Sequence, residues 1–196
     1  MTTKEAKELY LASDCSYFAM CTYHYPRYLQ YRQLGVPKIQ EDRWKEEKLR
    51  TLQIEIQKTG DSRIFDRMYE IAAEFRDYKR LRMMLEAFKQ IKHPLSLQQR
   101  VDLAETILGK RLPKARSGLI YWAYDIGQKS IAILLMEQVL QYLEIPNVSN
   151  VELYRRIRKG KRICKKLNTE LKLNFYEQEL QCYSPGNLQE EKWYFL

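Results

Sequence analysis

The chain has 196 residues and a formal net charge of +9, with 45% hydrophobic and 30% charged residues. This apolar fraction argues against a largely disordered chain and suits one globular domain, residues 1–196, with a hydrophobic core of its own. The 7 glycines and 6 prolines are too few for the many turns of a β-sandwich or barrel, so the composition favours long helices joined by short connections.

The N-terminal region predicts two helices. Thr2 and Glu5 form a candidate capping box ahead of one long helix that continues to Met20. A second helix begins near Pro26 and stops at Gly35, residues typical of a first helical turn and of a helix end. The chain does not start with a basic segment followed by an apolar one, so we expect no signal peptide and a cytoplasmic protein.

Residues 39–59 are compatible with two structures. Leu49, Leu52 and Ile56 have helical spacing, which predicts that the whole segment is one helix. The shorter stretch Leu52–Gln57 also alternates between apolar and polar residues, as a strand would. Helix is the preferred interpretation, because no partner strand is evident in the sequence.

Residues 62–91 predict a helical hairpin, because apolar residues recur at positions i, i+3, i+4 and i+7 in both halves. The residues expected in its core are Ile64, Met68, Ile71, Ala72, Phe75, Leu81, Met84, Leu85, Phe88 and Ile91. Ser96 and Gln99 then form a second capping box, and the helix behind them is expected to reach Gly109.

Two further helices are predicted before the C-terminal region. A shorter one lies within residues 114–128, and a strongly apolar one begins at Ser130 and ends before Pro146. The apolar helix is shorter than the roughly 20 residues that a bilayer requires, and Glu137 interrupts it. We interpret it as a buried helix of the core and expect no membrane association.

The most distinctive segment is a basic amphipathic helix predicted over residues 149–183, opened by a third capping box of Ser149 and Glu152. Residues 155–166 hold eight basic side chains and no acidic one. At helical spacing, the apolar face consists of Leu153, Ile157, Gly160, Cys164, Leu167 and Leu171. The predicted nucleic-acid-binding residues spread over the opposite side: Arg155, Arg156, Arg158, Lys159, Arg162, Lys165 and Lys166.

Metal and catalytic signals are weak. The four cysteines (Cys15, Cys21, Cys164 and Cys182) are predicted to be reduced thiols, although zinc bound by Cys15, Cys21 and His24 is an alternative. The phosphate-binding loops GxxxxGK[ST] and GxGxxG are absent, and so are GxSxG and HExxH. We read the carboxylate pairs Glu70 with Glu74 and Asp102 with Glu105 as parts of solvated helix faces, and His24 and His93 as helix-end residues. We therefore predict no catalytic residues, no metal and no cofactor.

Two other segments could contact partners. Tyr23, Tyr25 and Tyr28 lie in a tyrosine-rich stretch beside Arg27, where exposed rings could stack on nucleic-acid bases. The expected role of these tyrosines is nevertheless half-buried core with the hydroxyl at the surface. The apolar tail Trp193–Leu196 is expected to fold back onto the protein or to pack in a homodimer, with docking to another protein as the alternative.

The sequence thus predicts an all-α irregular bundle of seven to nine helices with hairpin-like pairs. The first functional hypothesis is a non-enzymatic protein whose basic helix contacts an anionic partner, in particular the phosphates of DNA or RNA. The second is a helical adaptor that binds protein through the tyrosine-rich region and the apolar tail. An enzyme of unrecognised type ranks third.

Overall fold

A computed structural model describes residues 1–91, 94–109, 117–144 and 149–173. Within these ranges the chain forms ten α-helices and no strand, which confirms the all-α prediction. The helices are α1 Thr3–Ala12, α2 Tyr17–Tyr23, α3 Tyr25–Leu34, α4 Lys38–Thr59, α5 Ser62–Ala72, α6 Tyr78–Lys89, α7 Leu97–Leu108, α8 Leu119–Asp125, α9 Lys129–Leu143 and α10 Val151–Glu170. The predictions made for His93, Cys182 and Trp193–Leu196 fall outside the described residues.

The ten helices exceed the predicted seven to nine by one. The prediction of a single N-terminal helix up to Met20 is wrong, because two helices, α1 and α2, occupy that segment. The break lies between α1 and α2, where Asp14 and Cys15 adopt left-handed backbone with φ of 48° and 59°. The Asp14 carboxylate lies 2.9 Å from the Lys48 ammonium and 2.8 Å from the Arg67 guanidinium. These ion pairs, to residues far away in sequence, stabilise a conformation that a local apolar pattern does not indicate.

Two compact units make up the chain. The first comprises Met1–Phe75 with Met83–His93, and the second comprises Arg76–Arg82 with Pro94–Leu196. Helix α6 contributes residues to both. That the chain behaves as one domain in solution stays a prediction.

The first unit contains the segment for which the sequence was compatible with either a helix or a strand. Leu52–Gln57 is helical, as part of the 22-residue helix α4. Leu49, Leu52 and Ile56 are all buried along one stripe, as the helical spacing predicted. Gly60 ends the helix with a φ of 65°, a left-handed conformation that glycine adopts without steric cost.

The predicted hairpin residues other than Leu81, which belongs to the second unit, form much of the remaining core of this unit. Phe65 of α5 packs against Phe88 of α6, with 5.7 Å between the ring centroids. The side chains expected inside are buried, except that Phe75 and Ile91 are only half-buried. Each of these two lies just beyond the end of its helix.

The second unit contains α7 to α10. Helix α9 is buried along most of its length, through Ile131, Ala132, Leu134, Leu135, Met136, Val139 and Leu143. None of the helices in the described ranges is both long and apolar enough to cross a membrane.

Helix capping follows the sequence at two of the three predicted boxes. Both reciprocal hydrogen bonds form between Thr2 and Glu5, and again between Ser96 and Gln99. The third box is wrong, because the side chain of Asn150, and not Ser149, accepts the bond from the Leu153 backbone N–H at 3.1 Å. Asn is as good an N-cap as Ser, so a shift by one residue changes little in energy.

Candidate nucleic-acid interface

Helix α10 is continuous from Val151 to Glu170. Within the described part of the chain it is therefore shorter than the helix predicted over residues 149–183. Residues 174–183 lie outside that part. Gly160 does not break the helix. A Cβ atom at position 160 would lie 2.9 Å from Leu143 Cδ1 of α9, so the glycine allows the two helices to approach closely.

The apolar face of α10 is buried as predicted. The buried residues are Leu153, Ile157, Gly160, Cys164, Leu167 and the following Leu171. They pack the helix against α7 and α9 of the same unit and fix which of its sides meets solvent. Burial also raises the pKa of the Cys164 thiol to about 12, so this cysteine is a neutral core group at physiological pH.

Arg156 differs from the other predicted phosphate contacts, because its charge is neutralised within the protein. Its Nη2 atom lies 2.8 Å from Asp102 Oδ1 and 3.0 Å from Glu105 Oε2, both on α7. Its Nε atom donates a further hydrogen bond of 3.2 Å to Glu105 Oε1. The hydrogen bonds to Glu105 and Asp102 raise the pKa of Arg156 above its ordinary value. Arg156 therefore anchors α10 to α7, and the carboxylate pair Asp102 and Glu105 serves this anchor.

The remaining cations of α10 face solvent. We define the cationic face as Arg155, Arg158, Lys159, Lys161, Arg162, Lys165 and Lys166, all of which are exposed. Arg155 Nη1 lies 3.8 Å from Glu152 Oε2, and both side chains are largely exposed. The other six form no ion pair with any carboxylate of the described residues. Eleven helical steps separate the first and last residue, so the face is roughly 16 Å long.

Two residues of this surface were missing from the predicted site. Lys161 is as exposed as its neighbours, and its place at the edge of the basic side on a helical wheel was the available signal. Tyr154 is 52% exposed and precedes Arg158 by one helical turn, so it adds an aromatic ring to the N-terminal end of the face.

The tyrosine-rich segment is more exposed than expected. Tyr23 and Tyr25 are 75% and 56% exposed and Tyr28 is half-buried, so the interpretation as half-buried core is wrong for the first two. It fits Tyr28, whereas Tyr31 is fully buried at 2% exposed, with its hydroxyl bonded to the buried Glu41. The two buried residues of α2 and α3 are Met20 and Tyr31. The Tyr17 ring is partly exposed and lies 6.2 Å from the Tyr31 ring, between centroids.

A buried polar network in the first unit was not predicted. Glu41 is 3% exposed, and its Oε1 atom accepts hydrogen bonds from the hydroxyls of Tyr31, at 2.7 Å, and Tyr17. The Lys45 ammonium is equally buried and pairs with the Glu74 carboxylate. Glu74 was interpreted together with Glu70 as part of a solvated helix face, but its carboxylate forms an ion pair with the buried Lys45. This network was not predictable from the sequence. Residues 41–48 contain seven charged side chains, and the sequence pattern does not distinguish those that are buried from those that are exposed.

The proposed zinc ligands do not form a site. Cys15 is buried, whereas Cys21 and His24 are exposed. Burial raises the pKa of Cys15 to about 12, so its thiol is protonated. Among the described residues, no group of three or more His, Cys, Asp or Glu side chains is arranged to hold a metal ion.

The geometry thus leaves one extended surface of unneutralised charge in the described part of α10. Comparisons of the chain with models of protein families, with curated proteins and with solved structures found no match.

Proposed function

We propose that this protein binds nucleic acid without enzymatic chemistry, through contacts between phosphates and the cationic face of α10. The observation that carries the proposal is that six of the seven cations lack a carboxylate partner among the described residues while sharing one side of one helix. An ordinary solvated helix face mixes charges, because opposite charges at i,i+4 stabilise a helix by about 0.2–0.5 kcal/mol per pair.

Like charges at these spacings have the opposite effect. Arg158 and Arg162 are four residues apart, and Arg162 and Lys166 are four apart again, so their mutual repulsion opposes helix formation. A phosphate backbone would relieve this repulsion, because it places negative charge along the length of the face.

The anchoring of α10 supports the same conclusion. Arg156 and the buried apolar stripe hold the helix in one orientation, so the cations are presented without the cost of ordering a flexible segment. A rigid row of cations suits the regular spacing of phosphates.

The test is a titration of the full chain with fluorescently labelled duplex and single-stranded DNA and RNA over a range of salt concentrations. Logarithmic affinity should fall linearly with logarithmic salt, with a slope of about −0.9 for each phosphate neutralised on duplex DNA. The variant Arg158→Glu, Arg162→Glu, Lys165→Glu should lose at least tenfold in affinity and should show a slope shallower by about 2–3.

The matched control reverses the same number of charges on another helix. Arg43, Arg50 and Lys58 of α4 are exposed, and no ion pair to a described carboxylate involves them. The variant Arg43→Glu, Arg50→Glu, Lys58→Glu changes the net charge equally and should retain most of the affinity. Equal losses in the two variants would indicate a non-specific charge effect and contradict the proposal. So would the absence of binding to every probe at low salt.

A further inference from the structure

The exposed cations of α10 are segregated by residue type around the helix axis. Successive residues of an α-helix are rotated by about 100°, so the buried stripe defines an outer edge on the opposite side. Arg162 lies at this outer edge, and Arg155 and Arg158 lie within about 40° of it. We call these three residues the arginine edge. The lysine flanks lie about 40–100° away and consist of Lys159 and Lys166 on one side and Lys161 and Lys165 on the other.

The rotation of α10 about its axis is fixed, so this segregation is a property of the folded protein. The buried stripe packs against α7 and α9 of the same unit. The ion pairs of Arg156 with two carboxylates of α7 hold the helix from the same direction. Gly160 brings the helix close to Leu143 of α9. All of these contacts lie on the side away from the arginine edge, which leaves the outer half of the helix exposed.

The two types of cation suit different parts of a nucleic-acid duplex. A guanidinium donates two parallel hydrogen bonds to the O6 and N7 atoms of guanine, which face the major groove of DNA. An ammonium is a compact charge on a flexible stem and suits a phosphate oxygen. A helix about 10–12 Å in diameter fits the major groove, which is about 12 Å wide and has a phosphate backbone along each side. The arginine edge would then face the bases, and each lysine flank would face one backbone.

Other anionic partners match this arrangement less well. The major groove of duplex RNA is too deep and narrow for side chains to read. A single strand has one phosphate backbone, which leaves one of the two lysine flanks without a partner. A lipid surface takes up the apolar side of an amphipathic helix, and that side of α10 is covered by α7 and α9. Duplex DNA is the partner that uses the edge and both flanks together.

We infer that α10 lies in the major groove of duplex DNA, where the arginine edge binds guanines and the lysine flanks bind phosphates of both strands. The inference deepens the proposed function and rests on it for the class of ligand. It adds the form of the nucleic acid and a division of roles among the cations. Arg155 and Arg162 are seven residues apart, roughly 10 Å along the axis, so the arginine edge covers about three base pairs.

The experiment uses duplexes that differ within one groove at a time. The reference is a DNA duplex of about 20 G·C pairs in both orientations, which offers a guanine at every position along the major groove. Replacing guanine by 7-deazaguanine removes the N7 acceptor from the major groove, whereas hypoxanthine lacks only the N2 amine of the minor groove. Fluorescence anisotropy with the full chain should show at least about fivefold weaker binding to the 7-deazaguanine duplex. Binding to the hypoxanthine duplex should be unchanged.

A variant that keeps every positive charge tests the arginine edge. Arg155→Lys, Arg158→Lys, Arg162→Lys replaces guanidinium groups with ammonium groups, which do not form the paired hydrogen bonds to guanine. It should bind the guanine and 7-deazaguanine duplexes equally. The dependence of its affinity on salt should stay the same, because the number of phosphates neutralised does not change. A difference between the two duplexes that survives in this variant would overturn the role of the arginine edge.

The matched control makes the same number of exchanges on the lysine flanks. Lys161→Arg, Lys165→Arg, Lys166→Arg also keeps every charge, and it should retain the difference between guanine and 7-deazaguanine. If both variants lose the difference, the assignment of separate roles to the edge and the flanks is wrong.

The outcomes separate this inference from the proposed function. Equal binding of the guanine and 7-deazaguanine duplexes, with affinity that still falls on charge reversal in α10, would overturn groove binding and leave the proposed function standing. Equal or tighter binding of duplex RNA or of a single strand of the same length would have the same meaning. A difference between the two DNA duplexes that survives charge reversal in α10 would contradict both, because another surface would then hold the DNA. Absence of binding to every probe at low salt would also overturn both.

Discussion

The guanidinium of Arg156 and the carboxylate of Asp102 lie 2.8 Å apart, although 54 residues separate them in the sequence. Arg155, its neighbour on the same helix, points into solvent and is 3.8 Å from the exposed Glu152. Two adjacent arginines of one basic segment therefore have different roles. One attaches the helix to the protein, and the other remains available to a partner.

This difference predicts unequal effects on stability. Arg156→Ala should lower the free energy of unfolding by roughly 1–3 kcal/mol, because it leaves two partly buried carboxylates without their partner. Arg155→Ala should change it by less than about 0.5 kcal/mol, since exposed pairs contribute little. Urea denaturation followed by circular dichroism measures both. Equal effects would show that the ion pair with α7 does not stabilise the fold.

The close approach of α10 to α9 at Gly160 predicts that a larger side chain at this position destabilises the fold. Gly160→Val should lower the free energy of unfolding by about 1–3 kcal/mol, because its Cβ alone would lie 2.9 Å from Leu143 Cδ1. The same substitution should be less destabilising in a Leu143→Ala background, where the obstructing atom is absent. A double-mutant cycle measured by urea denaturation gives this coupling directly. Additive effects would mean that Gly160 is needed for another reason.

The buried Glu41 predicts a graded effect of its two tyrosines. Tyr31→Phe should lower the free energy of unfolding by about 1–2 kcal/mol, because the buried carboxylate loses a hydrogen bond. Tyr17→Phe should have a smaller effect, since Tyr17 is partly exposed and water can replace its hydroxyl. Thermal or urea denaturation of both variants provides the comparison. The reverse order would contradict the assigned geometry.

Alkaline pH should destabilise the protein through its buried thiols. Burial raises the pKa of Cys15 and Cys164 to about 12, from an ordinary value of 9.0. The unfolded chain therefore releases these protons first. The contribution of the two protonated thiols to the free energy of unfolding is fully present below about pH 9. It falls as the pH rises above 9 and is lost by about pH 12. Urea denaturation at a series of pH values should show the decline.

Variants identify the groups responsible. Cys15→Ala, Cys164→Ala should make the decline shallower by up to about 1.4 kcal/mol per pH unit for each thiol. Cys21→Ala should leave it unchanged, because that thiol is exposed. Identical pH profiles for all three proteins would show that the two buried thiols ionise as readily in the folded chain as in the unfolded one.

The sequence by itself determined the helical class and the amphipathic character of α10. Both follow from local spacing, since a helix brings residues i, i+3 and i+4 to one side wherever it lies in the fold. The buried stripe from Leu153 to Leu171 and the helical state of Leu52–Gln57 were predictable for this reason.

Only the tertiary structure decided which charges and rings remain exposed. The charge of Arg156 is neutralised by carboxylates of α7. Asp14 adopts a left-handed conformation between α1 and α2, where Lys48 and Arg67 form ion pairs with it. Tyr31 is buried, whereas Tyr25 is exposed. Each of these outcomes depends on groups brought together from distant parts of the chain. Local periodicity does not encode such partners, because burial and ion pairing are set by what packs against a helix and not by the helix itself.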